Sequence, residues 1–157
     1  MDSRRLAAAA LTLPCMFILI STSAFASEKT DVVAAVHQYF DNLDKDKLQK
    51  SLAVCDSNVS ILDEFPPHAW RGATACEDWW KDFNAYNQKN GITDPVAILG
   101  TPWSVDVNGD RAYFVAPATY TYNRHGKPVK ELHSVFTVAL RRTQGNWRIA
   151  AWAWAKH

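Results

Sequence analysis

The sequence predicts an α+β fold: a cone-shaped, curved antiparallel sheet wrapped around three N-terminal helices, with an apolar central pocket. Helical spacing of apolar residues dominates the chain as far as residue 90, and from Asp94 onward apolar and polar residues alternate with a period of two. The predicted order is α-α-β-α-β-β-β-β. Three helices cannot cover both faces of a long sheet, so we expect the sheet to curl around them and leave a cavity at its wide end.

The first 26 residues have the pattern of a removable export signal. Arg4 and Arg5 precede an apolar run over residues 6–20, and Ala24-Phe25-Ala26 has the form that signal peptidase cleaves. The run is shorter than the roughly 20 residues that cross a bilayer, so we expect no membrane span. The sequence predicts a secreted or periplasmic protein cleaved near Ala26, and an uncleaved N-terminal anchor is the alternative.

Residues 27–157 are expected to form a single domain. The net charge of the whole chain is +1, which the leader residues Asp2, Arg4 and Arg5 account for. A neutral, mixed surface argues against nucleic acid or an anionic membrane as the main partner. The histidines and cysteines show no metal-ligand spacing, and we expect neither a metal nor another cofactor.

Cys55 and Cys76 are the cysteines that follow the leader. In an oxidising compartment such an even pair predicts a disulfide. The alternative is two buried thiols that pack as small apolar groups.

Apolar stripes predict the helices. The first stripe follows a cap at Thr30 or Asp31, and it contains Val32, Val33, Val36, Tyr39, Phe40 and Leu43. A shorter stripe of Leu48, Leu52 and Cys55 predicts the second helix. Thr74 and Glu77 have the spacing of a capping box that opens a third helix. One side of this helix carries Cys76, Trp79, Trp80, Phe83 and Tyr86.

Period-two alternation predicts the strands. Val59, Ile61 and Asp63 alternate with Ser60 and Leu62, which indicates a short strand before Pro66-Pro67. Four longer strands follow, with turn sequences such as Asn108-Gly109 between them. They are predicted over residues 95–107, 111–122, 129–142 and 147–155.

This order of elements resembles the nuclear-transport-factor-2-like superfamily, and within it the SnoaL-like and ketosteroid-isomerase-like proteins. The resemblance covers residues 30–155. The residues that carry it are Tyr39-Phe40, Asp44 with Asp46, Asp56-Ser57-Asn58-Val59 leading to Asp63, Arg71-Gly72, and the closing Gly145-Asn146-Trp147-Arg148-Ile149.

The resemblance implies roles for three positions. Tyr39 falls where the steroid isomerases place the tyrosine that donates to the oxyanion, and Asp63 falls where they place the carboxylate that abstracts the proton. The position of their second oxyanion donor, a protonated aspartic acid, is taken here by Thr137, a weaker donor. This departure puts steroid isomerisation itself in doubt.

The residues give their own support to Asp63 and His133 as candidate catalytic groups. Asp63 shares a strand face with Val59 and Ile61, so its carboxylate would point into apolar surroundings that raise its pKa. The alternative is a solvated residue at a strand end. His133 shares a face with Thr137 and would donate to a ligand oxygen or shuttle a proton, unless it lies on the rim of the sheet.

Aromatic residues indicate what the pocket binds. The candidate ligand-binding residues are Trp79, Phe83, Trp103, Tyr120, Trp152 and Trp154. Tryptophan is also enriched in cores and dimer interfaces, and we expect a homodimer. The first functional hypothesis is an isomerase or lyase that performs proton transfer on a small hydrophobic carbonyl compound. The second is a non-catalytic domain that binds an apolar ligand or a partner protein through the same cone.

Overall fold

The computed structural model describes residues 21–43 and 47–156, with side chains from residue 28 onward. Three helices lie in this part of the chain: α1 (Ser21–Phe40), α2 (Leu48–Leu52) and α3 (Ala75–Lys89). Between and after them run seven strands: β1 (Cys55–Leu62), β2 (Ala69–Gly72), β3 (Ile92–Leu99), β4 (Ser104–Asn108), β5 (Arg111–Arg124), β6 (Lys127–Thr143) and β7 (Asn146–Ala155).

The strands form one curved sheet, which confirms the predicted α+β class. Its order is β2-β1-β7-β6-β5-β3, and β4 pairs with β5 beside β3. The pairing differs from the prediction in one respect, because β1 runs parallel to β7. The sheet is therefore mixed rather than antiparallel throughout. This parallel pair places the end of β1, where Asp63 follows, next to Trp152 on β7.

The strand predicted over residues 95–107 is two strands. At the break, the backbone N–H of Gly100 donates to Pro117 O and that of Trp103 donates to Val115 O, both at 2.8 Å. Pro102 between them has no N–H to donate. A Cβ at Gly100 would lie 2.9 Å from the Pro117 ring, so the close approach of the two chains requires glycine here. Strand β2 was also missed, since it has four residues.

Two predicted caps are wrong. Helix α1 runs without a break from Ser21 through Ala26 and Thr30, so Thr30 does not begin it. Thr74 does occupy the N-cap of α3, but its hydroxyl makes no capping bond to the backbone. It donates instead to the Asp78 carboxylate at 2.7 Å, which satisfies the hydroxyl without a capping box.

The core lies between the helices and the inner face of the sheet. Its largest fully buried side chains include Tyr39 from α1, Phe114 from β5 and Phe136 from β6. The predicted disulfide is confirmed: Cys55 at the start of β1 is bonded to Cys76 at the start of α3. It ties α3 to the strand that leads to Asp63.

The predicted leader falls mostly outside the described residues, and its proposed cleavage point at Ala26 lies within α1. Over residues 21–43 and 47–156, no helix is long and apolar enough to cross a membrane.

Candidate functional site

A cavity of about 500 Å³ opens between the helices and the concave face of the sheet. Its walls are largely aromatic, as expected of a site for an apolar small molecule. The lining rings are Tyr39, Phe40, Phe65, Trp79, Trp80, Phe83, Tyr86, Tyr120, Tyr122, Phe136, Trp152 and Trp154. Trp79 and Phe83 stack at 5.2 Å on α3, and Trp152 meets Trp79 edge-on at 5.0 Å.

Asp63 lies on the wall of this cavity, immediately after β1. The Trp79 indole N–H donates to its Oδ2 at 2.8 Å, and the backbone N–H of Glu64 donates to its Oδ1 at 2.7 Å. Burial raises the pKa of Asp63 to about 6, and the two hydrogen bonds only partly oppose that effect. A carboxyl group with this pKa is ionised at neutral pH and basic enough to accept a proton from carbon.

Tyr39 projects from α1 into the same cavity. Its hydroxyl oxygen accepts a hydrogen bond from the Trp152 indole N–H at 3.1 Å, so the phenolic proton remains available for another acceptor. The Ser51 hydroxyl donates to its backbone carbonyl at 2.6 Å and fixes the end of α1. Burial raises the pKa of Tyr39, which keeps the hydroxyl protonated and a donor.

A chain of charged groups forms one side of the cavity. The Lys156 ammonium group lies 2.9 Å from a carboxylate oxygen of Glu64 and 2.9 Å from one of Glu131. The Tyr122 hydroxyl donates to the other Glu131 oxygen at 2.8 Å. Lys156 follows β7, Glu64 lies just after β1, and Glu131 is on β6. These ion pairs therefore connect the ends of β1 and β7 with β6 beside Asp63.

The structure brings together most of the predicted site residues. Asp63, Tyr39, Trp79, Phe83, Tyr120, Trp152 and Trp154 all line the one cavity. Trp103 does not, because it lies in the break between β3 and β4 with 65% of its surface exposed. Its placement in the ligand-binding set is corrected accordingly.

His133 and Thr137 are also outside the cavity. Thr137 lies between the buried Phe136 and Val138, which point inward, so its own side chain is on the outer face of the sheet. His133 is exposed and has a φ of 65°. The inner positions of β6 are occupied by large apolar groups that pack on the helices, and neither His133 nor Thr137 reaches the cavity.

Glu131 is a cavity residue that the sequence reasoning missed. Ala118 of β5 pairs with Ser134 of β6, and Tyr120 pairs with Glu131. The step of two residues on β5 thus faces a step of three residues on β6, so β6 contains one extra residue at this point. Such a bulge shifts the alternation of side chains, so strict period-two counting puts Glu131 and Ser134 on opposite faces. Glu64 and Lys156 adjoin predicted elements, yet their pairing depends on the parallel contact of β1 and β7.

Among the described residues, no cluster of three or more His, Cys, Asp or Glu side chains is arranged to hold a metal ion. The side chains that line the cavity supply a carboxylate, phenolic hydroxyl donors and stacking aromatic rings.

The comparisons with known proteins agree with the observed fold. Residues 30–153 match the family model of the SnoaL-like domain. The chain belongs to the SnoaL-like family, as the resemblance implied. No curated protein sequence matches it.

Solved structures share the fold at low sequence identity. A hexachlorocyclohexane dehydrochlorinase of type 2 superposes with a TM-score of 0.72 at 10% identity, over 87% of this chain and 90% of the other. A nuclear-transport-factor-2-like protein with a cystatin-like fold from Novosphingobium aromaticivorans superposes with a TM-score of 0.70 at 16% sequence identity. The superposition covers 90% of this chain and 91% of the other. A ketosteroid isomerase-like protein from Erwinia carotovora atroseptica superposes with a TM-score of 0.64 at 16% sequence identity, over 82% of this chain and 95% of the other. At these identities the likeness concerns the fold alone.

Proposed function

We propose that this protein is an exported isomerase or lyase that performs proton transfer on a small hydrophobic carbonyl compound. Asp63 is the base and Tyr39 donates a hydrogen bond to the carbonyl oxygen. The observation that carries the proposal is the presence of both groups on the wall of one aromatic cavity. The raised pKa of Asp63 supports it, since a general base works best when its pKa lies near the operating pH.

The proposed step begins with a substrate whose acidic C–H bond is next to the carbonyl group. An oxygen of Asp63 takes the proton, the C–H electron pair forms the C=C bond of an enolate, and the C=O π pair moves to oxygen. The Tyr39 hydroxyl stabilises the charge that develops on that oxygen. Return of the proton from Asp63 to a different carbon completes an isomerisation, and loss of a leaving group from the enolate completes an elimination.

Hydrogen–deuterium exchange tests this step without knowledge of the natural substrate. The probe is 2-tetralone, a small aromatic ketone, and ¹H NMR in D₂O follows exchange of its acidic protons. The wild type should accelerate exchange, and Asp63→Asn should lose at least about 10² of that acceleration, since the amide cannot act as the base. Asp106→Asn on β4, an exposed carboxylate outside the cavity, is the matched control.

The second hypothesis is a non-catalytic domain that binds an apolar ligand in the same cavity. The absence of Thr137 and His133 from the cavity favours it, because the second oxyanion donor of the isomerases then has no counterpart at the aligned position. Quenching of tryptophan fluorescence by 2-tetralone, with no acceleration of exchange in the wild type, would support binding and contradict the catalytic proposal.

We also propose export and a homodimer. The disulfide between Cys55 and Cys76 supports an oxidising compartment. The intact mass of protein recovered from outside the cytoplasm should correspond to a chain that begins at Ser27, and a chain that still carries Met1 would contradict cleavage. The second copy is expected on the outer face of the sheet, which the helices leave uncovered.

A further inference from the structure

The hydroxyl of Tyr120 is a polar group of the cavity that the proposed step does not use. Tyr120 projects from β5 and lines the cavity, whereas Tyr39 enters it from α1. The two tyrosines therefore line the ligand space from the sheet and from the helices. The ring of Tyr120 lies 6.2 Å from Trp154, edge-on, and 5.0 Å from Tyr122.

The neighbouring tyrosine shows what is different about Tyr120. The Tyr122 hydroxyl donates to Glu131 at 2.8 Å, so its proton is already engaged. Within the part of the chain that the structure describes, the Tyr120 hydroxyl has no hydrogen-bond partner. The hydroxyl is not among the buried side-chain atoms that lack a partner, so water can reach it, and a ligand oxygen that replaces this water would accept the same proton.

Electrostatics keep this hydroxyl a donor. Burial raises the pKa of Tyr120, and the carboxylate of Glu131 raises it further. The Asp63 carboxylate contributes in the same direction to the pKa of both Tyr120 and Tyr39. Both hydroxyls are thus within electrostatic range of the base, and both remain protonated at neutral pH.

We propose that Tyr120 is the second hydrogen-bond donor to the carbonyl oxygen of the ligand, in the role that the outward-facing Thr137 cannot fill. The inference rests on the proposed function, because it requires a carbonyl compound in this cavity. It assigns the site a ligand with an oxygen that accepts from two phenolic donors, one on α1 and one on β5. No proton is transferred by Tyr120; it donates a hydrogen bond that strengthens as charge develops on the oxygen.

A pair of probes separates this hydrogen bond from general packing. 2-Tetralone and tetralin have similar ring systems, and the hydrocarbon lacks the oxygen. Dissociation constants come from quenching of tryptophan fluorescence. Tyr120→Phe should weaken binding of 2-tetralone roughly three- to tenfold, the range for one hydrogen bond, and leave tetralin unchanged. Tyr113→Phe, an exposed position on the same strand, should change neither.

The exchange rate supplies a second readout that a purely structural role would not move. Because the hydrogen bond strengthens towards the enolate, Tyr120→Phe should lower the rate of deuterium exchange by a larger factor than it lowers affinity for 2-tetralone. Tyr39→Phe should show the same pattern if both hydroxyls donate to one oxygen.

The outcomes distinguish this inference from the proposed function. If Tyr120→Phe weakens both probes equally, or weakens neither, while the wild type binds and exchanges 2-tetralone, the role of Tyr120 is wrong and the function of Asp63 stands. If the selective loss appears in Tyr39→Phe alone, a single donor holds the oxygen and the inference is overturned. If the wild type binds neither probe, the carbonyl-binding cavity is wrong, and this inference fails with it.

Discussion

At the scale of single residues, the burial of Asp63 opposes ionisation of its carboxyl group. Its carboxyl group ends a strand whose inward residues Val59 and Ile61 are almost completely buried. Two donors hold the carboxylate, yet its pKa remains raised to about 6 against an ordinary value of 3.8. The folded state therefore disfavours the ionised form, which is a cost to stability at the site of the proposed chemistry.

This effect of burial predicts how stability depends on pH. Between about pH 4 and pH 6 the folded state binds more protons than the unfolded state, so the free energy of unfolding falls as pH rises through this window. The loss attributable to Asp63 is on the order of 3 kcal/mol at most. Asp63→Asn should therefore melt at a higher temperature than the wild type at pH 7, with the difference shrinking towards pH 4. Equal melting temperatures at pH 7 would contradict a desolvated carboxylate.

The position of Asp63 could be predicted because β1 is regular over the residues concerned. Period-two alternation from Val59 through Ile61 continues to Asp63 without a bulge, so the face of the strand determines the place of the side chain. Alternation counted back from the inner residues Ser134 and Phe136 puts Glu131 on the outer face, because such counting does not include the bulge in β6. Periodicity also cannot tell which face of β6 is the inner one, and Thr137 was assigned to the wrong face.

At the scale of the elements, a disulfide bond holds helix α3 to strand β1. The disulfide joins Cys55, the first residue of β1, to Cys76 in the first turn of α3. Asp63 follows β1, and Trp79, which donates to it, is on α3. The sequence predicted the disulfide from compartment and cysteine count, whereas the break between β3 and β4 escaped prediction. That break depends on the contact of Gly100 with Pro117 on another strand, and alternation along one strand contains no information about it.

Removal of the disulfide should destabilise the domain. Replacing both Cys55 and Cys76 by serine removes a cross-link between residues 21 positions apart in the sequence. For a loop of this size the chain-entropy model gives a decrease in the free energy of unfolding of about 3 kcal/mol. Urea denaturation of the double variant and the wild type measures the difference. Thiol titration of unreduced, denatured protein lacking the leader should find no free thiol, and two titratable thiols would contradict the bond.

At the scale of the whole molecule, the sheet has one face packed on the helices and one face without them. The outer face carries large exposed apolar side chains, with Ile98 59% exposed, Leu62 54% and Tyr113 47%. Ile98 pairs with Thr119 of β5, and the half-buried outer residues Val115 and Pro117 lie between Thr119 and Tyr113 on that strand. Val135 of β6, also half-buried, pairs with Pro117. Val115, Pro117 and Val135 carry no charge, and the exposed Asp106 on β4 pairs with Tyr113 at the edge of this stretch. A second copy of the same face would therefore meet mainly apolar surface.

The oligomeric state tests this surface. We expect a dimer in light scattering coupled to size-exclusion chromatography, and Ile98→Asp should give a monomer, because it places a charge where the two copies would meet. Lys81→Asp, an exposed change of charge on α3, should leave the dimer intact. A monomeric wild type at tens of micromolar would contradict the homodimer.

The central claim is that the cavity holds a carboxylate poised to act as a base near neutral pH, and titration of Asp63 itself tests it most directly. The ¹³C carboxyl resonance assigned by its loss in Asp63→Asn should titrate with a pKa of about 6. In Trp79→Phe, which removes the indole donor to Oδ2, the pKa should rise further, whereas Trp80→Phe should leave it in place. A carboxyl that titrates near 4, unaffected by Trp79→Phe, would contradict the account.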